Sequence, residues 1–210
     1  MLYNIRRNIL FRKEISGGFA RGCSTGPENY KEVCSIDLQK NKKEALIVNG
    51  IGGAVSLAMY IIMEIRKPFM VWISEMADKG LLLPALAALV LGTVIYVILH
   101  EFTHGITMKC MGGKQVKYGF TGMYAFAGSS KDYFPKRQYI CIALAPVVLW
   151  GIIFAVLQVF LRGWEWVVWF LQIMNIGGAA GDIYVTARVA GMSKTILVMD
   201  TGVSMTVYDM

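Results

Sequence analysis

Four apolar segments of about twenty residues limit the possible folds of this chain more than any other feature. Each is close to the ~20 residues that a helix needs to cross a ~30 Å hydrocarbon core. Only 17% of the residues are charged and the mean hydropathy is +0.51, values typical of membrane proteins. We therefore expect an all-α membrane protein with about four transmembrane helices, at approximately Ala45–Met63, Leu81–Leu99, Tyr139–Leu161 and Trp164–Val185.

These segments define a transmembrane domain over residues 45–185, preceded by a basic tail, 1–44, and followed by a C-terminal segment, 186–210. The tail contains no apolar stretch followed by a small-residue cleavage site, so we expect a partly disordered cytoplasmic tail without a cleaved signal peptide. The four cysteines show no C-x-x-C spacing, which predicts buried free thiols: Cys23, Cys34, Cys110 and Cys141.

The distribution of basic residues predicts the orientation. Of the 21 Lys and Arg residues, 17 lie in the tail, in the loop from Ile106 to Gln138 or after Val185, and the other 4 lie in the two remaining loops. The positive-inside rule then places both termini in the cytoplasm of a multi-pass cell-membrane protein. Because the basic residues fall between apolar runs, the net charge of +7 predicts no nucleic-acid partner. The lipid bilayer is the expected partner.

The second apolar segment ends in an H-E-x-x-H motif formed by His100, Glu101 and His104, and these are the only two histidines. Side chains at positions i and i+4 of a helix share one face about 6 Å apart, so both imidazoles can bind one metal ion. Glu101 lies roughly 100° around the helix, from where it can reach a water on that metal. This arrangement is typical of zinc hydrolases. The alternative is a structural polar patch.

Asp182 is the predicted third metal ligand. In the expected orientation the second and fourth segments run in the same direction. His100 lies 19 residues beyond Leu81 and Asp182 lies 18 residues beyond Trp164. At ~1.5 Å per residue both lie about 28 Å from the outer edge. Catalytic zinc uses three protein ligands, so we expect the Asp182 carboxylate within ~7 Å of the ring nitrogens. The alternative is a helix-end carboxylate facing water.

Asn175 lies two turns before Asp182 and is a candidate for binding substrate or a metal ligand. The alternative is a buried amide that bridges helices. The intervening glycines would let the helix loosen and bring the carboxylate to the metal. Gly177 and Gly181 also form a G-x-x-x-G pattern that permits close helix approach. The glycines of the first segment we attribute to the general glycine content of membrane helices: Gly50, Gly52 and Gly53.

The loop between the second and third segments predicts a small β-hairpin over Gln115 to Phe126, turning at Thr121-Gly122. Its edge could hold an extended peptide substrate, or the loop could instead be a membrane-surface segment with aromatic anchors. Pro146 should kink the third helix. Residues 195–199 are a candidate strand, and Asp200-Thr201-Gly202 is predicted to be a turn.

The motifs taken together resemble a known family. His-Glu-Phe-Thr-His-Gly, Ala-Leu-Ala-Pro and Asn-Ile-Gly-Gly-Ala-Ala-Gly-Asp-Ile-Tyr are similar to the bacterial putative zincin peptidases, small membrane proteins related to site-2 intramembrane metalloproteases. The resemblance covers roughly Tyr30 to Tyr208 and implies Zn²⁺ bound by His100, His104 and Asp182, with Glu101 as the base. Unlike site-2 proteases, this chain has no proline between Asn175 and Asp182 and no Leu-Asp-Gly ending, a difference that concerns substrate handling.

Two functions from different classes follow. The first is a zinc-dependent intramembrane endopeptidase that cuts a membrane-associated peptide or protein near the cytoplasmic face. The second is a non-proteolytic integral membrane protein whose metal site serves structure or metal handling. Glu101 favours the enzyme, because a structural site needs no carboxylate beside its first ligand. The sequence identifies neither the substrate nor the oligomeric state.

Overall fold

A computed structural model describes residues 29–122 and 125–210. The helices are α1 (Lys42–Arg66), α2 (Phe69–Asp78), α3 (Leu82–Cys110), α4 (Lys136–Phe160), α5 (Glu165–Gly178) and α6 (Ala180–Ala190). The strands are β1 (Lys31–Ile36), β2 (Lys117–Phe120), β3 (Ala125–Gly128), β4 (Phe134–Pro135), β5 (Leu197–Asp200) and β6 (Met205–Asp209). The first 28 residues of the predicted tail, including Cys23, lie outside the described residues.

Three of the described helices, α1, α3 and α4, are long and apolar enough to cross a membrane. Large apolar side chains along them are exposed in the isolated chain, including Leu46, Ile65, Leu83, Val90 and Phe160. Such a surface is stable in lipid, where the helix satisfies its own backbone groups and its apolar side chains face acyl chains. The protein is therefore a membrane protein, as the composition predicts.

The fourth apolar segment is not one helix. It is divided into α5 and α6 at Ala179, and neither piece reaches the ~20 residues of a simple span. The prediction of a fourth continuous transmembrane helix is wrong in this respect. The break directly follows Gly177 and Gly178, whose low helix propensity weakens the segment at this point. It agrees with the loosening expected from the glycines.

The prediction of an all-α fold with a single hairpin is also incomplete. A four-stranded antiparallel sheet has the order β1-β6-β5-β4. Its β1 strand lies within the tail that we expected to be partly disordered, and Ile36 pairs with Met205 of β6. The candidate strand at 195–199 lies at Leu197–Asp200, and the predicted turn follows it, with Gly202 at a φ of +82°. Short strands that are far apart in sequence pair through non-local hydrogen bonds, which a local sequence pattern cannot predict.

A separate two-stranded sheet occupies the region of the predicted hairpin. Strands β2 and β3 pair antiparallel, with Lys117 opposite Gly128 and Phe120 opposite Ala125. Gly122 follows β2 at a φ of +89°, a conformation that side chains with a Cβ disfavour. The second strand extends two residues beyond the predicted end of the hairpin.

The chain forms two compact units. The first contains both sheets and consists of Glu101–Leu144, Val185–Met210 and the described residues up to Lys42. Its fully buried side chains include Phe134, Tyr139, Val198 and Val207.

The second unit consists of Lys43–His100 and Ala145–Tyr184. It has a core cluster around Trp72, Met76 and Trp166. The indole N–H of Trp72 donates to the Gly163 carbonyl at 2.8 Å, so this buried ring also satisfies its polar atom.

Helices α1 and α5 approach closely through two glycines. A Cβ on Gly52 would lie 2.6 Å from the carbonyl oxygen of Gly177, whereas a Cβ on Gly50 or Gly53 would meet nothing within 4 Å. Our attribution of the first-segment glycines to general composition is therefore wrong for Gly52, which permits this contact.

The cysteine prediction holds in part. Of the cysteines within the described residues, all three are free, but only Cys34 is partly buried. Cys110 and Cys141 are exposed, so the prediction of burial is wrong for these two residues.

Candidate metal centre

Both histidines of the H-E-x-x-H motif lie on α3, which continues as a helix through the motif to Cys110. His104 is buried at 8% exposure, and the His100 side chain is 12% exposed. Their spacing of four residues places the two rings on one face of the helix. The local sequence therefore forms the pair of imidazoles that the motif predicts.

Hydrogen bonds determine which nitrogen of His100 carries the proton. The Asn175 amide nitrogen donates to the Val147 carbonyl at 3.0 Å, so the Asn175 oxygen faces Tyr96. The Tyr96 hydroxyl donates its only proton to that oxygen at 3.0 Å. Its own oxygen must then accept from Nδ1 of His100, 2.9 Å away. Nδ1 of His100 therefore carries the proton, and its Nε2 atom, which faces Asp182, can offer a lone pair to a metal ion.

His104 has the same tautomer for a simpler reason. Its Nδ1 lies 2.9 Å from the carbonyl oxygen of Ile142 on α4. A carbonyl oxygen can only accept, so Nδ1–H is the donor and Nε2 is the nitrogen whose lone pair can bind a metal ion. A metal-binding histidine commonly donates its second nitrogen to a carbonyl or another oxygen, which orients the ring.

Asp182 lies in the first turn of α6 and meets His100. Its Oδ2 is 3.2 Å from Nε2 of His100. The helix N-terminus favours a carboxylate at this position. One ligand atom from each of His100, His104 and Asp182 lies within 4.8 Å of the others. The predicted limit of ~7 Å for the carboxylate is therefore met.

The residues fit a zinc ion. Nε2 of His100 and the Asp182 carboxylate are both acceptors, so their approach to 3.2 Å requires a proton or a cation between them. In tetrahedral zinc with bonds of 2.0–2.1 Å, neighbouring ligand atoms are separated by about 3.3 Å. Two imidazoles and one carboxylate are also a common donor set of catalytic zinc, as in His₂Glu sites.

The other two predicted site residues lie in different environments. Glu101 follows His100 on α3 and is partly exposed, while Asn175 on α5 is completely buried. Asn175 bridges Tyr96 and the Val147 carbonyl, an arrangement that corresponds to the second alternative considered from the sequence.

Strand β2 packs against the motif helix. The Tyr118 ring is stacked on Phe102, with centroids 5.9 Å apart. The Tyr118 hydroxyl occupies the space that a Cβ on Gly105 would need. Burial raises the pKa of the Tyr118 phenol above its usual value, so the ring remains neutral. The glycine after His104 thus lets the sheet approach the motif.

Sequence reasoning missed Tyr96 and the backbone carbonyls that orient the two rings. For Tyr96 a signal existed, because it precedes His100 by four residues and must share its helix face. The Ile142 carbonyl belongs to a distant helix, and no side-chain pattern reports a backbone acceptor.

Comparison with known proteins agrees with this geometry. Residues 93–197, half of the chain, match the family described as Putative zincin peptidase. The chain belongs to this family. The matched region begins before Tyr96 and ends after Asp182, so it includes the three candidate ligands of this zincin. No curated protein and no solved structure matches the chain.

Proposed function

We propose that this protein is a zinc-dependent intramembrane endopeptidase that hydrolyses membrane-associated peptides or proteins near the cytoplasmic face. The observation that carries the proposal is the convergence of His100, His104 and Asp182 in a member of a zincin family. Three protein ligands leave one tetrahedral position open for the reaction, as in other catalytic zinc sites.

Glu101 is the proposed general base. Zinc bound at this centre would supply a Lewis acid and an activated water. Glu101 is partly exposed beside His100, so it can take a proton from the attacking water and deliver it to the leaving amine. Tyr96 and the Ile142 carbonyl hold the two imidazoles while the proton moves.

The proposed substrate surface is the edge of β2. Within the described residues, β2 pairs with β3 alone, which leaves its other edge available. An extended peptide added to such an edge gains main-chain hydrogen bonds that do not depend on its sequence. The stacking of Tyr118 on Phe102 brings this strand next to the motif helix.

The proposed topology has four crossings with both termini in the cytoplasm. Hydrogen-bonded strands must lie on one side of a membrane, because a sheet with open edges does not occur in the hydrocarbon region. Strand β1 precedes α1, β4 lies between α3 and α4, and β5 follows α6, and all belong to one sheet. The number of crossings between β4 and β5 must then be even. We infer that α5 and α6 together return the chain across the bilayer after α4.

The substitution Glu101→Gln tests the proposed reaction. We expect the purified variant to bind about one zinc per chain, like the wild type, and to lose peptidase activity by ~10²-fold or more, the usual contribution of a general base. Zinc content is measured by elemental analysis. Because the substrate is unknown, cleavage is measured by comparing the membrane proteomes of cells with each variant, looking for an uncut precursor that accumulates. Glu32→Gln, on exposed β1, is the matched control.

Two results would count against the enzyme. Wild-type protein that takes up no zinc would remove the metal centre. If Glu101→Gln retained zinc and the wild-type phenotype while His100→Ala abolished folding, the site would be structural and the non-proteolytic alternative would hold.

A further inference from the structure

Helix α4 contains a proline in its interior at Pro146. Proline has no N–H, so a helical proline leaves the carbonyl four residues earlier without its intrahelical donor. In α4 that carbonyl belongs to Ile142. Ile142 is buried at 1% exposure, and an unsatisfied carbonyl in such a position costs free energy.

The freed carbonyl of Ile142 is the acceptor that holds His104. Nδ1 of His104 donates to it at 2.9 Å. In a regular helix this oxygen would point along the axis toward the N–H of residue 146. The absence of that N–H, and the bend that a proline ring imposes, make the oxygen available to a side chain from α3.

We infer that Pro146 is a positioning residue for His104. By withholding a backbone donor from Ile142, it commits that carbonyl to Nδ1–H of His104 and leaves Nε2 as the nitrogen for the metal. The inference rests on the proposed function only in naming zinc as the ion, since the hydrogen bond exists in the chain itself. It gives helix α4 a chemical role in the site, although α4 contributes no metal ligand.

The substitution Pro146→Ala restores an N–H at the position opposite the Ile142 carbonyl. Alanine is the best helix former, so the metal-free variant should unfold at the same temperature as the wild type or a higher one. The hydrogen bond to His104 should weaken, and zinc affinity should fall by ~10-fold to ~100-fold, as for other groups that orient metal ligands. A proline with a purely structural role would instead lose thermal stability.

The control is Pro84→Ala. Pro84 lies in the first turn of α3, where a backbone N–H has no intrahelical partner. This variant also replaces a proline in a long apolar helix, but it does not change the hydrogen bonding of any carbonyl oxygen near either histidine. We expect wild-type zinc affinity.

A spectroscopic readout tests the inference without metal. The chain has two histidines, so ¹⁵N-histidine labelling yields signals from two rings, which His100→Gln assigns. At a pH well above the ordinary imidazole pKa of about 6.5, metal-free wild type should show His104 as the Nδ1–H tautomer. Pro146→Ala should show His104 as an exchanging mixture, with His100 unchanged.

The outcomes separate the two proposals. If wild-type protein binds no zinc but the His104 tautomer depends on Pro146, the proposed enzyme fails and the positioning role stands. If the His104 signals and the zinc affinity of Pro146→Ala both equal those of the wild type, the positioning role is overturned, whatever the activity.

Discussion

The Nε2 atom of His100 lies 3.2 Å from Oδ2 of Asp182, although 82 residues separate them in the chain. Nδ1 of His100 already donates to Tyr96, so the pair brings a lone pair and a carboxylate oxygen together. The break at Ala179 makes this approach possible, because it starts a new helix whose first turn contains Asp182. Among the three candidate ligands, Asp182 therefore depends most on the local fold, because its position requires this break.

Replacing Asp182 by Asn should weaken zinc binding by more than ~100-fold, beyond the loss typical of groups that only orient a ligand. The amide oxygen is neutral and cannot balance the charge of the ion. The measurement is competition with a chromophoric chelator in detergent micelles. Asp78→Asn, at the exposed end of α2, is the control and should bind like the wild type. Equal affinity in the Asp182 variant would exclude the carboxylate as a ligand.

Replacing Tyr96 by Phe removes the hydroxyl that links His100 to Asn175. Both neighbours then lose a buried partner, which costs about 1–3 kcal/mol of stability. Zinc affinity should also fall, by about 10-fold, since His100 is no longer oriented. Thermal unfolding and zinc titration measure the two effects. Tyr60→Phe on α1 also removes a tyrosine hydroxyl, one that interacts with Glu64 rather than with His100, and it should leave zinc affinity unchanged. A Tyr96 variant with wild-type affinity would show that the relay does not orient the ring.

The candidate ligands could be predicted from sequence because each follows from a local rule. Four-residue spacing puts His100 and His104 on one helix face, and counting along two apolar segments predicted Asp182 at the depth of His100. The orienting groups could not be predicted in the same way. The Ile142 carbonyl becomes an acceptor only through the packing of α4 beside the motif, and a backbone atom has no sequence signature.

In the fold, too, the locally determined features could be predicted from the sequence and the non-local ones could not. The three long apolar helices follow from composition and length alone, since lipid imposes both. The four-stranded sheet was missed because β1 and β6 are separated by most of the chain and pair through non-local hydrogen bonds. The glycines predicted that the fourth segment can loosen but not that it divides into two helices, and the position of the break at Ala179 depends on how α5 ends.

Replacing Asn175 by Ala distinguishes a structural amide from a substrate-binding one. Because Asn175 is fully buried and bonded to Tyr96 and Val147, we expect lower thermal stability and weaker zinc binding. A role in substrate binding alone would leave thermal stability and zinc affinity unchanged and would make the uncut precursor accumulate in cells. Measuring stability, zinc affinity and precursor accumulation decides between these roles. Gln39→Ala, an exposed amide outside the helices, is the control.

The contact between Gly52 and Gly177 predicts opposite effects at two neighbouring positions. Gly52→Ala would place a methyl group 2.6 Å from the Gly177 carbonyl oxygen, and moving this backbone oxygen away would cost free energy. We expect the free energy of unfolding to fall by ~1–3 kcal/mol. Zinc binding should also weaken, because the displaced end of α5 leads into the helix that contains Asp182. Gly53→Ala meets nothing within 4 Å and should be neutral or stabilising by up to ~1 kcal/mol. Unfolding in mixed micelles and zinc titration compare the two variants.

Equal stabilities of the two variants would mean that α1 and α5 separate in the membrane. A destabilised Gly52 variant with normal zinc affinity would mean that the position of Asp182 is independent of this contact.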